Sequence, residues 1–197
     1  MKKMICLALC MFLMAGCAGT NTGTGTSGDP LTEEDFAIYE EGKCIATVEE
    51  IMEANESGMR SFVYSWDGEE LFPGRILETK RGVRINSTLR ELAESYSGLR
   101  MFYLVPENVT GGESVFEEIL IDDFLERVSD YETKEYTLFF NRWARDGKFM
   151  DDHELNKDKK QVEEGTKMVD LDGVNFYLSF QMKNNIVKDI HISRWDF

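Results

Sequence analysis

The sequence predicts an α+β fold, an antiparallel sheet with helices packed on one face, and three observations carry that expectation. Val174, Phe176, Leu178, Phe180 and Met182 alternate strictly with polar or smaller residues, Lys183-Asn184-Asn185 turns the chain, and Ile186, Ile190 and Ile192 continue on the apolar face of a return strand. Thr88 followed by Glu91 forms a capping box, and Leu89, Leu92, Ala93 and Tyr96 then fall at i, i+3, i+4 and i+7, the apolar stripe of a short helix. Thr47, Val48, Glu50, Ile51 and Glu53 echo Thr88, Leu89, Glu91, Leu92 and Glu94 at a constant offset of 41 residues. That offset fits an internal strand–helix–strand repeat. Convergent capping chemistry is the competing account.

The chain of 197 residues opens on a targeting segment. Lys2 and Lys3 are charged, Met4 to Met14 is apolar but too short to span a bilayer, and Leu13-Met14-Ala15-Gly16-Cys17 reads as a lipobox. Residues 1–16 are therefore expected to be a lipoprotein signal peptide. Cleavage leaves Cys17 at the N-terminus carrying diacylglycerol, a lipid anchor in the bilayer on the extracytoplasmic face of the cell membrane. Residues 17–30 follow as a Gly/Thr linker without a large apolar residue, a composition too poor in burial to offset its ordering entropy. The thirteen residues from Ala18 to Pro30 reach roughly 20 Å.

Residues 31–197 are expected to form one α+β domain, long enough for a real core. The whole chain has 37 acidic and 22 basic residues, and loss of Lys2 and Lys3 with the leader leaves 20 basic residues, a formal charge of −17. That balance excludes nucleic acid as a partner and disfavours anionic lipid headgroups. Of four cysteines only Cys44 stays in the domain, so no intrachain disulfide forms there. It is expected to pack as a small hydrophobe.

Along the domain, Phe36 to Tyr39, the turn Glu41-Gly42 and Lys43 to Ala46 read as a hairpin. Arg60 to Trp66 is a strand ended by Asp67-Gly68, and Leu71 to Thr79, broken by Pro73-Gly74, is an edge strand or bulge. In Thr79 to Tyr96 a strand, a tight turn at Gly82, a short strand and a helix follow one another. Arg100 to Val105 is a central buried strand. Ser114-Val115-Phe116-Glu117 looks like a third capping box, opening the longest helix with Phe116, Ile119, Leu120, Phe124 and Val128 on its apolar face. Thr137 to Ala144 is a strand, and Asp151 to Thr166 a charged loop.

In Arg81-Gly82-Val83-Arg84-Ile85-Asn86-Ser87-Thr88-Leu89-Arg90-Glu91-Leu92 the chain resembles small bacterial lipoproteins of the SmpA/OmlA type, a group similar in fold to the β-lactamase-inhibitor proteins. The resemblance implies a non-catalytic binding or assembly role in the cell envelope. It departs from the pattern at Asn86, where that group carries Gly. Asn is the next most tolerant residue of left-handed backbone.

Chemistry-bearing clusters are few. Asp189, His191 and Ser193 share one face of the last strand, but a flat strand provides no oxyanion hole, and a solvent face is the expectation. Asp151-Asp152-His153-Glu154 and Asp170-Leu171-Asp172-Gly173 are incomplete as metal loops, so neither a metal site nor a cofactor is expected. Arg75, Lys80, Arg81, Arg84 and Arg90 form a positive island against the single acid Glu78, and Arg81, at the turn beside Gly82, is expected at the surface. The island is a docking site for an acidic protein or envelope polymer, or else it is matched by the domain's own acids between Glu33 and Glu56. The other function class compatible with so many acids is a cell-wall or carbohydrate hydrolase with paired carboxylates; a shallow concave sheet lined by Tyr, Phe and Trp would instead mark a binder.

Overall fold

The computed structural model describes residues 28–50, 61–65, 72, 74–106, 112–127, 135–145, 148–150 and 174–196. It is a mixed α+β structure, mostly antiparallel sheet with a few short helices. Strands β1 (Ala37–Glu40) and β2 (Lys43–Thr47) make a two-stranded sheet. β3 (Ser61–Ser65), β4 (Arg100–Val105), β5 (Val115–Leu120), β6 (Glu135–Arg145), β7 (Lys148–Met150), β8 (Val174–Lys183) and β9 (Ile186–Asp196) make a seven-stranded one in the order β3-β9-β8-β6-β4-β5, with β7 also paired to β6. A 3-10 turn, Glu33–Phe36, precedes β1, and two helices, α1 (Leu89–Ser95) and α2 (Ile121–Arg127), lie between strands. None of the described helices is long and apolar enough to cross a membrane.

The closing hairpin forms as its alternation requires. Phe176, Leu178, Phe180 and Met182 are buried, and Asn184 and Asn185 adopt the positive φ of a tight hairpin turn, 53° and 59°. On the return strand the phase differs from the expectation in one place. β9 carries a bulge, with Met182 opposite Val187 but Gln181 opposite Asp189, so Lys188 is the extra residue. Val187 and Ile190, three apart, therefore both point into the core, and Ile186 is only half-buried.

In the stretch before α1 the expected tight turn forms, but the two strands expected around it are reduced to isolated bridges, Glu78 to Arg84 and Thr88 to Ile186. Gly82 sits at φ 79° in a turn closed by its N–H to Thr79 O at 2.9 Å, and Asn86 takes the left-handed φ of 72°. The Thr88 Oγ1 accepts from Glu91 N at 3.2 Å, and the Glu91 carboxylate accepts from Thr88 N at 2.7 Å. Leu89, Leu92, Ala93 and Tyr96 are all buried. The cap at Thr47 is built the same way: Glu50 N donates to Thr47 Oγ1 at 3.2 Å and Thr47 N to Glu50 Oε2 at 2.8 Å. The loop ahead of α1 is stitched to the closing hairpin by Asn86 N to Val187 O, Val187 N to Ser87 O and Leu89 N to Asn185 O, all at 2.8–2.9 Å.

Three expectations are corrected. Val115–Leu120 is strand β5, not the start of a helix; helix follows only over Ile121–Arg127. Six successive pairs with β4, the Arg100–Glu118 ion pair at 2.9 Å and the Tyr103 hydroxyl on Glu117 at 2.7 Å outweigh the local cap signal. β4 is second from the sheet edge rather than central. Within Leu71 to Thr79, the pairing is confined to isolated bridges from Glu78 to Tyr39 and Arg84. The Asp67-Gly68 turn and the charged loop 151–166 lie outside the described residues.

The core is aromatic-rich. Tyr96 of α1 stacks on Phe140 at 4.8 Å and meets Phe180 edge-on at 5.7 Å; Phe124 of α2 lies 5.0 Å from Tyr103 and 5.6 Å from Tyr136; Phe36 of the 3-10 turn lies 5.4 Å from Phe176. Each such ring contributes about 1.5–3 kcal/mol through burial.

Thr47→Ala and Thr88→Ala are each expected to lower stability by about 0.5–2 kcal/mol, the range for lost caps, read as a shift in the urea midpoint at unchanged slope. The Glu91 carboxyl is held below its ordinary 4.5, chiefly by the Thr88 backbone N–H it accepts. A depressed acid contributes stability above its unfolded value and loses it as pH falls through its folded value. The midpoint difference between wild type and Glu91→Gln is therefore expected to shrink as pH drops below 4.5, and a difference that stays constant through that window would show that the ionised cap adds nothing.

Candidate functional site

The strand register builds a groove on the side of the sheet opposite Tyr136, Leu138, Phe140, Leu178 and Phe180. Phe139 of β6 stands opposite Ser179 of β8, which stands opposite His191 of β9; Tyr177 stands opposite Ser193, and Thr137 opposite Gln181. With Trp195 these residues line a shallow groove of about 470 Å³. Phe139, Tyr177 and Trp195 step diagonally, each one strand over and two residues along from the last. Phe139 and Tyr177 are 6.5 Å apart between ring centroids, and Trp195 is 40% exposed. The aromatic surface extends past the groove: Phe102 stacks between Phe139 at 5.4 Å and Phe116 at 5.3 Å, and Phe116 is 60% exposed.

The polar members of the lining are Thr137, Ser179, Gln181, His191 and Ser193, none of them a lysine, arginine or carboxylate. Gln181 Oε1 accepts from Thr137 Oγ1 at 3.0 Å, which leaves its amide NH2 as a donor to the surface. Asp189 borders the groove through His191, with Nε2 and Oδ2 3.0 Å apart. The Asp189-His191-Ser193 set is thus brought to one face as its spacing requires, and one link of a triad forms. The second does not. His191 Nδ1 is buried without a hydrogen-bond partner, so neither Ser193 nor the facing Ser179 is bound to a base. A serine nucleophile needs that bond.

The basic island is largely matched from within. Lys80 reaches Glu34 at 2.7 Å and Arg75 reaches Glu40 at 3.6 Å. Arg81, expected at the surface beside Gly82, is instead buried, its side chain 2% exposed. Its Nε donates to Asp35 Oδ1 at 2.8 Å, its Nη2 to Asp29 O at 2.8 Å and Pro30 O at 3.4 Å, and its Nη1 to Ser95 O at 3.4 Å. The guanidinium also lies over the Tyr96 ring, 5.2 Å from its centroid. The other Asp35 oxygen accepts from Thr32 N and Thr32 Oγ1 at 2.8 and 3.1 Å. Every donor and acceptor finds a partner, which is what a buried pair needs to offset desolvation. The guanidinium lies on the Tyr96 ring at the end of α1 rather than in solvent. Arg84 and Arg90 are exposed and form no ion pair among the described residues.

The Arg81 contacts also move the start of the folded unit. Asp29 and Pro30, assigned by composition to the linker, are held by their carbonyls against the domain. Burial raises the Tyr96 phenol well above its ordinary value, and Asp35 acts in the same direction. Cys44 is half-buried on β2 and forms no disulfide among the described residues. Cys17, the Asp151–Glu154 cluster and the Asp170–Gly173 fragment lie outside the described residues, and no group of three metal-ligating side chains occurs among those described.

What sequence reasoning missed is the groove's assembly. Its residue types were legible as the polar face of alternating strands, but their convergence depends on the pairing of β6 with β8, which no local signal specifies. Comparison with protein-family models, curated proteins and solved structures finds no match for this chain.

Arg81→Ala is expected to cost about 3–5 kcal/mol, because it strands the Asp35 carboxylate in the interior. The double variant Arg81→Met with Asp35→Leu is expected to recover much of that loss. Denaturation midpoints of the variants check both statements.

Proposed function

We propose that this chain is a membrane-tethered lipoprotein of the cell envelope whose domain is a non-catalytic binding or assembly module. The observation that carries the binding half is the groove: a shallow aromatic-lined sheet face without a charged lining and without a base in contact with a hydroxyl nucleophile. The tether half rests on the lipobox ending at Cys17. On this reading the diacylglycerol at Cys17 holds the protein to the bilayer on the extracytoplasmic side, and residues 18–28 span the distance to the domain.

In its finer form the fold packs α1 and α2 on a single face of the seven-stranded sheet, like the SmpA/OmlA lipoproteins. The two capped segments at Thr47 and Thr88 are copies of one strand–helix–strand unit. Support comes from the two identically built caps and from the aromatic contacts of α1 and α2 with the same side of β6. The hydrolase reading needs two carboxylates facing a cleft, and the groove lining offers none. Arg84 and Arg90 keep a secondary role as contacts for an acidic partner. Lys80 and Arg75 contribute less, since each already holds an acid.

Cys17→Ala is expected to move the protein from the membrane fraction to the soluble envelope fraction and to abolish incorporation of labelled palmitate. A variant that remains with the membrane, from a wild type whose N-terminus carries no lipid mass, would remove the tether from the proposal. Charge reversal at Arg84 and Arg90 is expected to leave the fold intact, changing stability by no more than about 0.5 kcal/mol, checked by the thermal midpoint.

A further inference from the structure

We infer that the groove over β6, β8 and β9 binds a neutral oligosaccharide, an inference that rests on the reading of this groove as the module's binding surface. Three rings, Phe139, Tyr177 and Trp195, climb the sheet as a diagonal staircase. A step of one strand and two residues spans about 8 Å, so the staircase is about 15 Å long, enough for a short chain of sugar rings. Between the steps sit hydroxyls. Ser179 faces Phe139 across the strand gap and lies two residues from Tyr177, while Ser193 faces Tyr177 and lies two residues from Trp195. The free amide NH2 of Gln181 borders the lower step.

The alternation of apolar platform and neutral polar group decides among ligand classes. A purely apolar chain would bury these hydroxyls and the amide without partners, at the desolvation penalty of each. An anion meets no cationic side chain in the lining and approaches through the field of an acidic chain. A cation finds no carboxylate in the lining, and Asp189, which pairs with the lining His191, is engaged there. A neutral sugar has both required surfaces: a C–H face to lie on a ring and hydroxyls to exchange hydrogen bonds with Ser, Gln and Thr. The volume, about 470 Å³, lies within the usual range for ligand sites. The shallow form of the groove suits an extended chain that enters from the side.

The test is isothermal calorimetry on the full chain in a zwitterionic, sugar-free detergent. Cellotriose, maltotriose and tri-N-acetylchitotriose are the neutral probes, and trigalacturonate is the charged comparator. At least one neutral trisaccharide is expected to bind saturably and more tightly than trigalacturonate. Trp195→Ala is expected to weaken it about tenfold, Trp195→Phe to retain most of the affinity, and Gln181→Ala, at an exposed position, to weaken it several-fold at unchanged thermal midpoint. Phe116→Ala, off the staircase, is expected to leave affinity unchanged. Absence of saturable binding by all three neutral sugars, equal or tighter binding of trigalacturonate, or affinity indifferent to both Trp195→Ala and Gln181→Ala would overturn the inference. Membrane fractionation of Cys17→Ala is independent of these titrations, so failure of the sugar assignment is distinguishable from failure of the tether.

Discussion

The Arg81 guanidinium is the contact on which the domain's organisation depends. It joins the backbone at Asp29 and Pro30, the carboxylate of Asp35, the C-terminal end of α1 at Ser95 and the face of Tyr96. An ion taken out of water is unfavourable by several kcal/mol unless its bonds are replaced, and here the replacements come from the chain entry, the turn before β1 and the end of α1; the Lys80–Glu34 ion pair and the Tyr39–Glu78 backbone bonds hold neighbouring segments together as well. The entry of the chain into the domain is therefore fixed by the same group that sits on α1. Asp29 and Pro30, which composition alone assigns to the Gly/Thr stretch, thus belong to the folded unit.

A second constraint operates on β9. Its bulge at Lys188 lets the loop at Asn86–Leu89 pair with Asn185 and Val187 while the rest of the strand stays in register with β8. Without the extra residue the period of two would place either Val187 or Ile190 on the solvent side. With it, Val187, Ile190 and Ile192 are all buried, and Asp189, His191, Ser193 and Trp195 all fall on the other face. The position of the groove thus follows from a packing requirement on the opposite side of the sheet.

The elements legible in the sequence are those whose signal is local and redundant. The closing hairpin combined strict alternation with an Asn-Asn turn, and both caps combined a hydroxyl, a carboxylate and an apolar stripe at fixed spacing. The same capping logic failed at Ser114, because Ser-x-x-Glu can also be written by a strand whose glutamate serves a cross-strand partner, here Tyr103. Propensity over a few residues could not see β4 lying alongside. Arg81 was misplaced for a related reason. A charge beside a turn glycine reads as exposed, and only the distant Asp35 and Tyr96 make its burial tolerable. Of the groove residues only His191 and Ser193 were read as part of a solvent face, with Asp189, since the diagonal of three rings exists only once β6, β8 and β9 are in register.

Exposed rings on an open sheet face are normally a hazard, because they invite association with another sheet or another copy. Two features of this chain work against that outcome. The rings at the sheet's β5 side are already committed to one another, Phe116 stacked on Phe102 and Phe102 on Phe139, which takes up part of their apolar surface. The surrounding chain is also strongly acidic, with 37 acids against 22 bases, so two copies repel before their aromatic faces approach. Repulsion of this kind leaves a small uncharged ligand unaffected. An acidic body around a neutral aromatic groove therefore disfavours self-association and anionic ligands together, while leaving the groove accessible to an uncharged molecule.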